Sequence, residues 1–314
     1  MKKILIIPAR RHVAEAYSEY LVRYLGDEFD IQMGYPTIDN PSPMGKNPDD
    51  FDLIYPHFDS HWFLPESYAK KIVNVQFEPG GTKFPTVAAC TSEPVCKSFK
   101  HDYHLRYGVD TELFKPFRQP KGEGLHIGFM GNIQTPRRYM KELFIPLHTL
   151  EGVKIDIYPT TWSMQTRSDE IEGMGGQVVL DNIEDGDKWW SGLPNLYNRM
   201  DVYVRCDINA GYQYSLLEAA ACGVPIVTTD PGVGKEICDA GGGLYVACQD
   251  GNWDPEVLKE LSGRIKEAVE KMKDKQLRDT AGFNARAFIE RNYIWDVWAP
   301  KWREFFREGI KYAN

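Results

Sequence analysis

The sequence predicts an α/β protein built of two doubly wound domains that face a cleft. Short apolar runs, typical of buried parallel strands, alternate with segments of helical spacing. The alternation begins again after residues 114–124, which concentrate proline, glycine and charge as a linker does. A chain of 314 residues is also long enough for two hydrophobic cores. We therefore expect one domain over residues 1–117 and a second over residues 121–294.

Each predicted element follows from its own pattern. An apolar run closed by proline, KILIIP, predicts a strand, and AEAYSEYLVRYLG predicts a helix that ends at glycine. Further strands of the first domain are predicted at IQMGY, DLIYP, KIVNVQF and TVAACT. In the second domain the predicted strands are LHIGFMG, VKIDIYP, GQVVL, DVYVRC and PIVTTD, and the predicted helices are RRYMKELFIPLHTL and SLLEAAACG. The chain is predicted to be helical from Pro255 onward.

Composition disfavours several classes of protein. The formal net charge of −8 argues against a dedicated nucleic-acid binder, which carries a basic face. The visible basic clusters are Arg10 with Arg11, and Arg137 with Arg138 and Lys141. Six cysteines without a C-x-x-C pair indicate neither a disulfide framework nor a zinc site. No apolar run is long enough for a signal peptide or a membrane span, so we expect a reduced, cytoplasmic protein, either free or peripheral at a membrane.

Residues 199–238 contain two successive strand–loop–helix units. The first helix begins near Tyr214, carries Glu218 in its second turn and ends at Gly223, and the second helix carries Glu236 after DPGVG. Backbone N–H groups at helix N-termini bind phosphate, and a nearby carboxylate can accept hydrogen bonds from ribose. This spacing suggests a nucleoside-diphosphate pocket, although ordinary capped helices with solvated glutamates explain it equally well.

Four stretches of the sequence resemble motifs of one known family. The central one, AGYQYSLLEAAACGVPIVTTDPGVGKE, resembles without gaps the donor-site signature of retaining GT-B glycosyltransferases of family 4, the glycosyl transferases group 1 type. Three further motifs of that family are similar to LPNLYNRMDVYVRC, YGVDTELFKP and FIERNYIWDVWAPKWREFF. The resemblance implies the GT-B fold, with a C-terminal helix at about 295–314 packing on the first domain. It also implies transfer of a sugar from a nucleotide-diphosphate sugar with retention of configuration.

The resemblance assigns roles to individual residues. Glu218 stands where the family's second glutamate holds the donor ribose. The first glutamate, which lies beside the reacting carbon, is replaced by Ala210, so Asp207 or Asn209 would supply a polar contact from the same loop. The backbone amides expected to face the sugar or phosphate are those of Gly211, Tyr212 and Gln213.

The leaving diphosphate requires fixed positive charge, which the family supplies with Gly-Arg and a later lysine. Here Gly131 is followed by Asn132, and Arg137 falls at the lysine position. Since arginine can hold phosphate through two hydrogen bonds, half of this clamp is present. The other half would come from Arg138 or from the amino-terminal basic cluster.

The resemblance also places His57, at the end of the predicted strand DLIYP, near the donor sugar, with a packing role as the alternative. The predicted catalytic residues are His57, Arg137 and Asp207. The predicted donor-binding residues are Gly131, Asn132, Arg138, Asn209, Ala210, Gly211, Tyr212, Gln213, Ser215, Leu217, Glu218 and Glu236. We expect no cofactor and no essential metal, because no spacing of His, Asp or Glu suggests a metal site and the phosphate clamp does not require one.

The predicted partners are a nucleotide sugar of the UDP, GDP or ADP type and an acceptor that is a glycan, a lipid or a small molecule. Two alternatives stay open. Ala210 and Asn132 suggest a degenerate member that binds nucleotide or glycan without turnover. The compact first domain permits a phage-type DNA-modifying glucosyltransferase, but the acidic charge balance disfavours it.

Overall fold

The computed structural model describes residues 1–8, 12–34, 46–57, 70–76, 87–91, 104–117, 122–131, 140–158, 177–178, 189–206, 212–248 and 254–314. Its contacts divide the chain into two units. Unit 1 is Met1–Gly108 together with Ile294–Asn314, and unit 2 is Val109–Tyr293. The division falls earlier in the chain than the predicted linker, so that the segment 109–117 groups with unit 2.

Unit 1 is built on parallel strands. Its described strands are β1 (Lys2–Ile7), β2 (Phe29–Met33), β3 (Leu53–Pro56), β4 (Val73–Gln76) and β5 (Val87–Cys90). They form one sheet of order β2-β1-β3 and a parallel pair β4-β5. A parallel bridge between Ile54 and Ile72 connects β3 to the segment before β4. The last four residues of β1 are all buried, as expected for the central strand of a parallel sheet covered on both faces.

The described α-helices of unit 1 are α1 (His12–Leu25) and α7 (Trp295–Ala313). α7 carries aromatic residues at helical spacing, and Trp302, Phe305 and Phe306 are fully buried. Arg303 joins α7 to α1 by donating from Nη2 to the carbonyl of Tyr24 at 2.7 Å. The C-terminal helix therefore forms part of the core of unit 1.

Unit 2 contains a parallel sheet whose six described strands have the order β11-β10-β9-β6-β7-β8. These strands are β6 (Leu125–Met130), β7 (Val153–Tyr158), β8 (Gln177–Val178), β9 (Val202–Arg205), β10 (Ile226–Thr228) and β11 (Gly243–Tyr245). The described α-helices are α2 (Leu193–Tyr197), α3 (Tyr214–Ala221), α4 (Val233–Asp239), α5 (Pro255–Lys271) and α6 (Lys275–Asn292). Buried aliphatic residues of β6, β7, β9 and α5 form a common core.

The helix predicted at RRYMKELFIPLHTL differs in its described part. A π-helical turn at Met140–Phe144 is followed by a 3-10 helix at Ile145–Thr149. Pro146 has no N–H, and its ring obstructs the preceding turn, so a regular α-helix cannot continue through it. The prediction of a regular helix is therefore wrong for residues 140–149.

The cysteines differ from the expectation of a fully reduced chain. Cys90, the last residue of β5, is disulfide-bonded. Cys206, Cys222, Cys238 and Cys248 are free thiols. Burial raises the pKa of Cys238 to about 12, so this thiol is a poor nucleophile. Cys90 belongs to no C-x-x-C pair, so the spacing rule applied to the sequence did not indicate this bond.

Candidate functional site

The sheet of unit 2 has its topological switch point between β6 and β9. From β6 the chain proceeds outward through β7 and β8, and it returns to the other side of β6 as β9, followed by β10 and β11. The connections that leave the carboxyl ends of β6 and β9 therefore run to opposite sides. In doubly wound sheets this divergence creates the crevice where ligands bind.

Several predicted site residues lie outside the described residues. They are Asn132, Arg137 and Arg138, which follow β6, and Asp207, Asn209, Ala210 and Gly211, which follow β9. The amino-terminal Arg10 and Arg11 also lie outside them. The roles assigned to these residues from the sequence stay predictions. What the structure does describe is the pair of strand ends from which both segments leave.

Gly131 marks the end of β6 at the switch point. Its backbone φ of 143° lies in a region that residues with a Cβ rarely adopt, so glycine is required for this turn. Its N–H donates to the carbonyl of Tyr158, the last residue of β7, at 3.1 Å. The neighbouring strand β7 thus fixes the backbone of Gly131 directly after β6.

The N-terminus of α3 is the second described part of the site. Gln213 is its N-cap, has an extended backbone (φ −104°, ψ 90°) and makes no capping bond with its side chain. The rings of Tyr212 and Tyr214 meet edge to face at 5.1 Å, and all three residues are buried. Leu217 is fully buried on the inner side of α3. The amides of Tyr212 and Gln213, two of the three predicted to bind phosphate, therefore lie at a helix N-terminus that its own N-cap side chain does not close.

Glu218, in the second turn of α3, is only 6% exposed. Tyr197, the fully buried last residue of α2, donates its hydroxyl to Glu218 Oε2 at 2.6 Å. A buried carboxylate needs such a donor, and hydrogen bonds to ionised groups are short and strong. Tyr197 therefore holds the orientation of the carboxylate that the sequence assigns to the ribose. The sequence contains this tyrosine in LPNLY, but no spacing rule connects it with Glu218.

Arg205, the last residue of β9, was not predicted as a site residue, yet it lies at the switch point. Its side chain is buried, with the residue 2% exposed. Nη1 donates to the carbonyl of Met130 at 3.1 Å and to Ser215 Oγ at 2.7 Å. The hydroxyl of Tyr203 also bonds both of these groups, at 3.1 Å and 2.8 Å. The end of β6 and the first turn of α3 are thereby connected through two side chains of β9.

The N-terminus of α4 is capped by a residue that is not among the predicted site residues. Asp230, which is fully buried, accepts hydrogen bonds from the N–H groups of Gly232 at 2.9 Å and Gly234 at 2.8 Å. The expectation of free amides at this helix N-terminus is therefore wrong for these two groups. Glu236, in the first turn of α4, accepts a hydrogen bond from the hydroxyl of Tyr293 at 2.6 Å.

His57 follows β3 in unit 1 and is fully buried. Its Nδ1 lies 3.1 Å from Ser18 Oγ, and its ring stacks with those of Tyr55 and Tyr107, at centroid distances of 5.6 Å and 5.2 Å. The hydroxyls of Tyr55 and Tyr107 are hydrogen-bonded to each other. These contacts are those of a packed histidine, the alternative weighed from the sequence, and the predicted catalytic role of His57 stays a prediction.

Within the ranges that the structure describes, no group of three or more His, Cys, Asp or Glu side chains could hold a metal ion. The predicted absence of an essential metal stays a prediction. In the same ranges, none of the helices combines the length and the apolar character needed to cross a membrane.

Solved structures share this fold along almost the whole chain. Sucrose-phosphate synthase from Thermosynechococcus elongatus matches with a TM-score of 0.72 and 12% identity, over 98% of this chain and 99% of that one. A glycosyltransferase from Rickettsia africae ESF-5 matches with a TM-score of 0.69 and 14% identity, over 99% of both chains. Alr3699/HepE of Anabaena, solved with UDP and glucose, matches with a TM-score of 0.65 and 13% identity, over 98% of this chain and 100% of that one. These likenesses confirm the predicted α/β fold of the GT-B class.

Part of the chain also matches the model of a protein family. Residues 169–260, all within unit 2, match the model of the family described as Glycosyl transferases group 1. This region contains β9, α3, β10 and α4, and with them Arg205, Glu218 and Asp230. No curated protein matches the chain.

Proposed function

We propose that the protein is a glycosyltransferase that moves a sugar from a nucleoside-diphosphate sugar to an acceptor with retention of anomeric configuration. The Glu218–Tyr197 pair carries this proposal, because it lies in the region that matches glycosyl transferases group 1. The pair supplies an oriented, buried carboxylate one turn beyond the α3 amides. A nucleoside diphosphate requires both kinds of group: a carboxylate that accepts hydrogen bonds from the ribose hydroxyls, and N–H groups that donate to the phosphates.

The remaining roles follow from the charge that develops during transfer. When the bond between the anomeric carbon and the diphosphate breaks, the electron pair and the negative charge pass to the diphosphate. The α3 amides and Arg137 are the groups that we assign to this charge. Asp207 or Asn209 contacts the sugar in place of the glutamate that Ala210 replaces.

Retention is proposed to occur by attack from the face that the leaving group occupies. The acceptor oxygen forms the new bond to the anomeric carbon, and its proton passes to the departing phosphate oxygen, so that no protein base, cofactor or essential metal takes part. His57 is the further residue proposed near the sugar. Among the proposed donors, UDP sugars come first because the similar HepE protein was solved with UDP-glucose. The acceptor class stays a glycan, a lipid or a small molecule.

The experiment is a thermal-shift measurement with UDP, GDP, ADP and dTDP and their common sugar conjugates. A ligand at about 100 times its Kd stabilises the folded state by about 2.7 kcal/mol, which shifts the melt by several degrees. We expect one nucleotide to shift the melt and one of its sugar conjugates to shift it further. Transfer from that conjugate is then followed by NMR of the product, whose anomeric configuration should equal that of the donor.

Two variants test whether the nucleotide-induced shift of the melt depends on Glu218. Glu218→Gln should lose most of the nucleotide-induced shift, because the amide has only one acceptor oxygen and no charge. Glu270→Gln, an exposed change on α5, is the matched control and should keep the shift. A wild-type melt that none of the four diphosphates moves would overturn the proposal. Binding without transfer to any acceptor would favour a degenerate nucleotide-binding protein instead.

A further inference from the structure

A buried arginine lies at the switch point of the unit 2 sheet. Arg205 ends β9, and the residue is 2% exposed. A guanidinium group keeps its charge at any accessible pH, and moving it out of water is costly unless the site makes use of its donors. Its position at the carboxyl edge is the one where doubly wound sheets bind ligands.

The guanidinium group of Arg205 joins the end of β6 to the first turn of α3. Nη1 bonds the carbonyl of Met130, directly before the Gly131 turn, and Ser215 Oγ in the first turn of α3. The guanidinium carbon also lies 5.4 Å from the centre of the Phe129 ring, which packs it against the end of β6. The side chain thus connects the two elements that border the crevice, and its charge lies between them.

We propose that Arg205 is a positioning residue for the diphosphate: it holds the Gly131 turn and the first turn of α3 in register, and its buried charge makes this crevice favour an anionic ligand. The inference rests on the proposed function. β9 thereby supplies a cation of the kind that the sequence predicts in the segment after Gly131. In this arrangement the charge stabilises the bound diphosphate without contacting it, since a charge acts over several ångströms where water is excluded.

The test compares Arg205→Lys, which keeps the charge, with Arg205→Gln, which keeps a polar side chain without it. The probes are the nucleoside diphosphate that the wild type binds and the matching nucleoside without phosphate. We expect Arg205→Gln to lose about tenfold or more of its affinity for the diphosphate while its nucleoside affinity changes less than about threefold. Arg205→Lys should retain most of the preference for the diphosphate.

A merely structural role would give a different pattern. Both substitutions remove the forked donor, so both would then weaken diphosphate and nucleoside binding to a similar extent, and this result would overturn the proposal. Ser215→Ala, which removes one partner of Arg205 and leaves the charge, keeps the test decisive if the arginine variants do not fold. It should lower the preference for the diphosphate severalfold, and an unchanged preference would count against positioning.

The two proposals fail in different ways. If the wild type binds none of the four nucleoside diphosphates, the proposed function is overturned, and the role of Arg205 is overturned with it. If the wild type binds one of them and Arg205→Gln keeps the wild-type ratio of diphosphate to nucleoside affinity, only the role of Arg205 is overturned.

Discussion

Tyr197 and Glu218 show how single residues define this site. The tyrosine is fully buried and the glutamate nearly so, and the hydrogen bond between them is 2.6 Å long. Tyr197→Phe would leave a carboxylate with one donor fewer in a place that water barely reaches. We expect it to lower the free energy of unfolding by about 1.5–3 kcal/mol, the range for hydrogen bonds to charged groups. Urea unfolding monitored by circular dichroism measures this loss.

A double-mutant cycle tests whether this loss of unfolding free energy comes from the Tyr197–Glu218 hydrogen bond. In the Glu218→Gln background the bond has no ionic acceptor, so Tyr197→Phe should cost at least about 1 kcal/mol less there than in the wild type. Equal costs in the two backgrounds would mean that the tyrosine stabilises the protein by packing alone. Tyr197→Phe should also weaken nucleotide binding, because the Glu218 carboxylate loses its fixed orientation.

Among the elements, α4 depends on one capping residue. Asp230 accepts from the N–H groups of Gly232 and Gly234, and the site is buried. We expect Asp230→Ala to lower the free energy of unfolding by about 2 kcal/mol or more, since it removes the cap and leaves two amides without an acceptor. The predicted signature is a lower urea midpoint with an unchanged slope.

Asp230→Asn is the matched comparison for this helix. Asparagine keeps one acceptor oxygen in the same place, so its cost should be about half that of alanine. The acceleration of hydrogen exchange should be largest at the start of α4 in both variants. A full loss with asparagine would show that the charge, and not the number of acceptors, stabilises this helix end.

Local sequence pattern determines which segments of this chain form buried elements, but not which side chains meet when those elements pack. The buried strands β1 and β9 and the helix around Glu218 are visible in the sequence because apolar spacing records which side of an element is buried. The partners of Arg205 are not visible, because Met130 is 75 residues away and no period connects the two positions. Likewise, Tyr197 becomes a partner of Glu218 only when α2 and α3 pack together.

At the scale of the whole molecule, unit 1 draws on both ends of the chain. Residues Met1–Gly108 form its sheet, and Ile294–Asn314 supplies α7. Where the two parts meet, a Cβ added at Gly108 would lie 2.5 Å from the backbone nitrogen of Trp295 and 2.6 Å from its Cα. Such distances are shorter than any van der Waals contact, and a backbone cannot rotate away as a side chain can. The absence of a side chain at Gly108 is therefore what lets the start of α7 close unit 1.

This geometry predicts opposite effects for two glycine-to-alanine changes. Gly108→Ala should lower the stability of unit 1 by about 1–3 kcal/mol, because it overpacks the contact with Trp295. Gly263→Ala, at an exposed position in α5 of unit 2 where an added Cβ meets nothing within 4 Å, should raise stability by roughly 0.5–1 kcal/mol. Hydrogen exchange read by peptide distinguishes the two: the first change should accelerate exchange in β1 and α7, and the second should slow it in α5. If Gly108→Ala left exchange in α7 unchanged, the close approach of Trp295 to this glycine would not be what holds the C-terminal helix in unit 1.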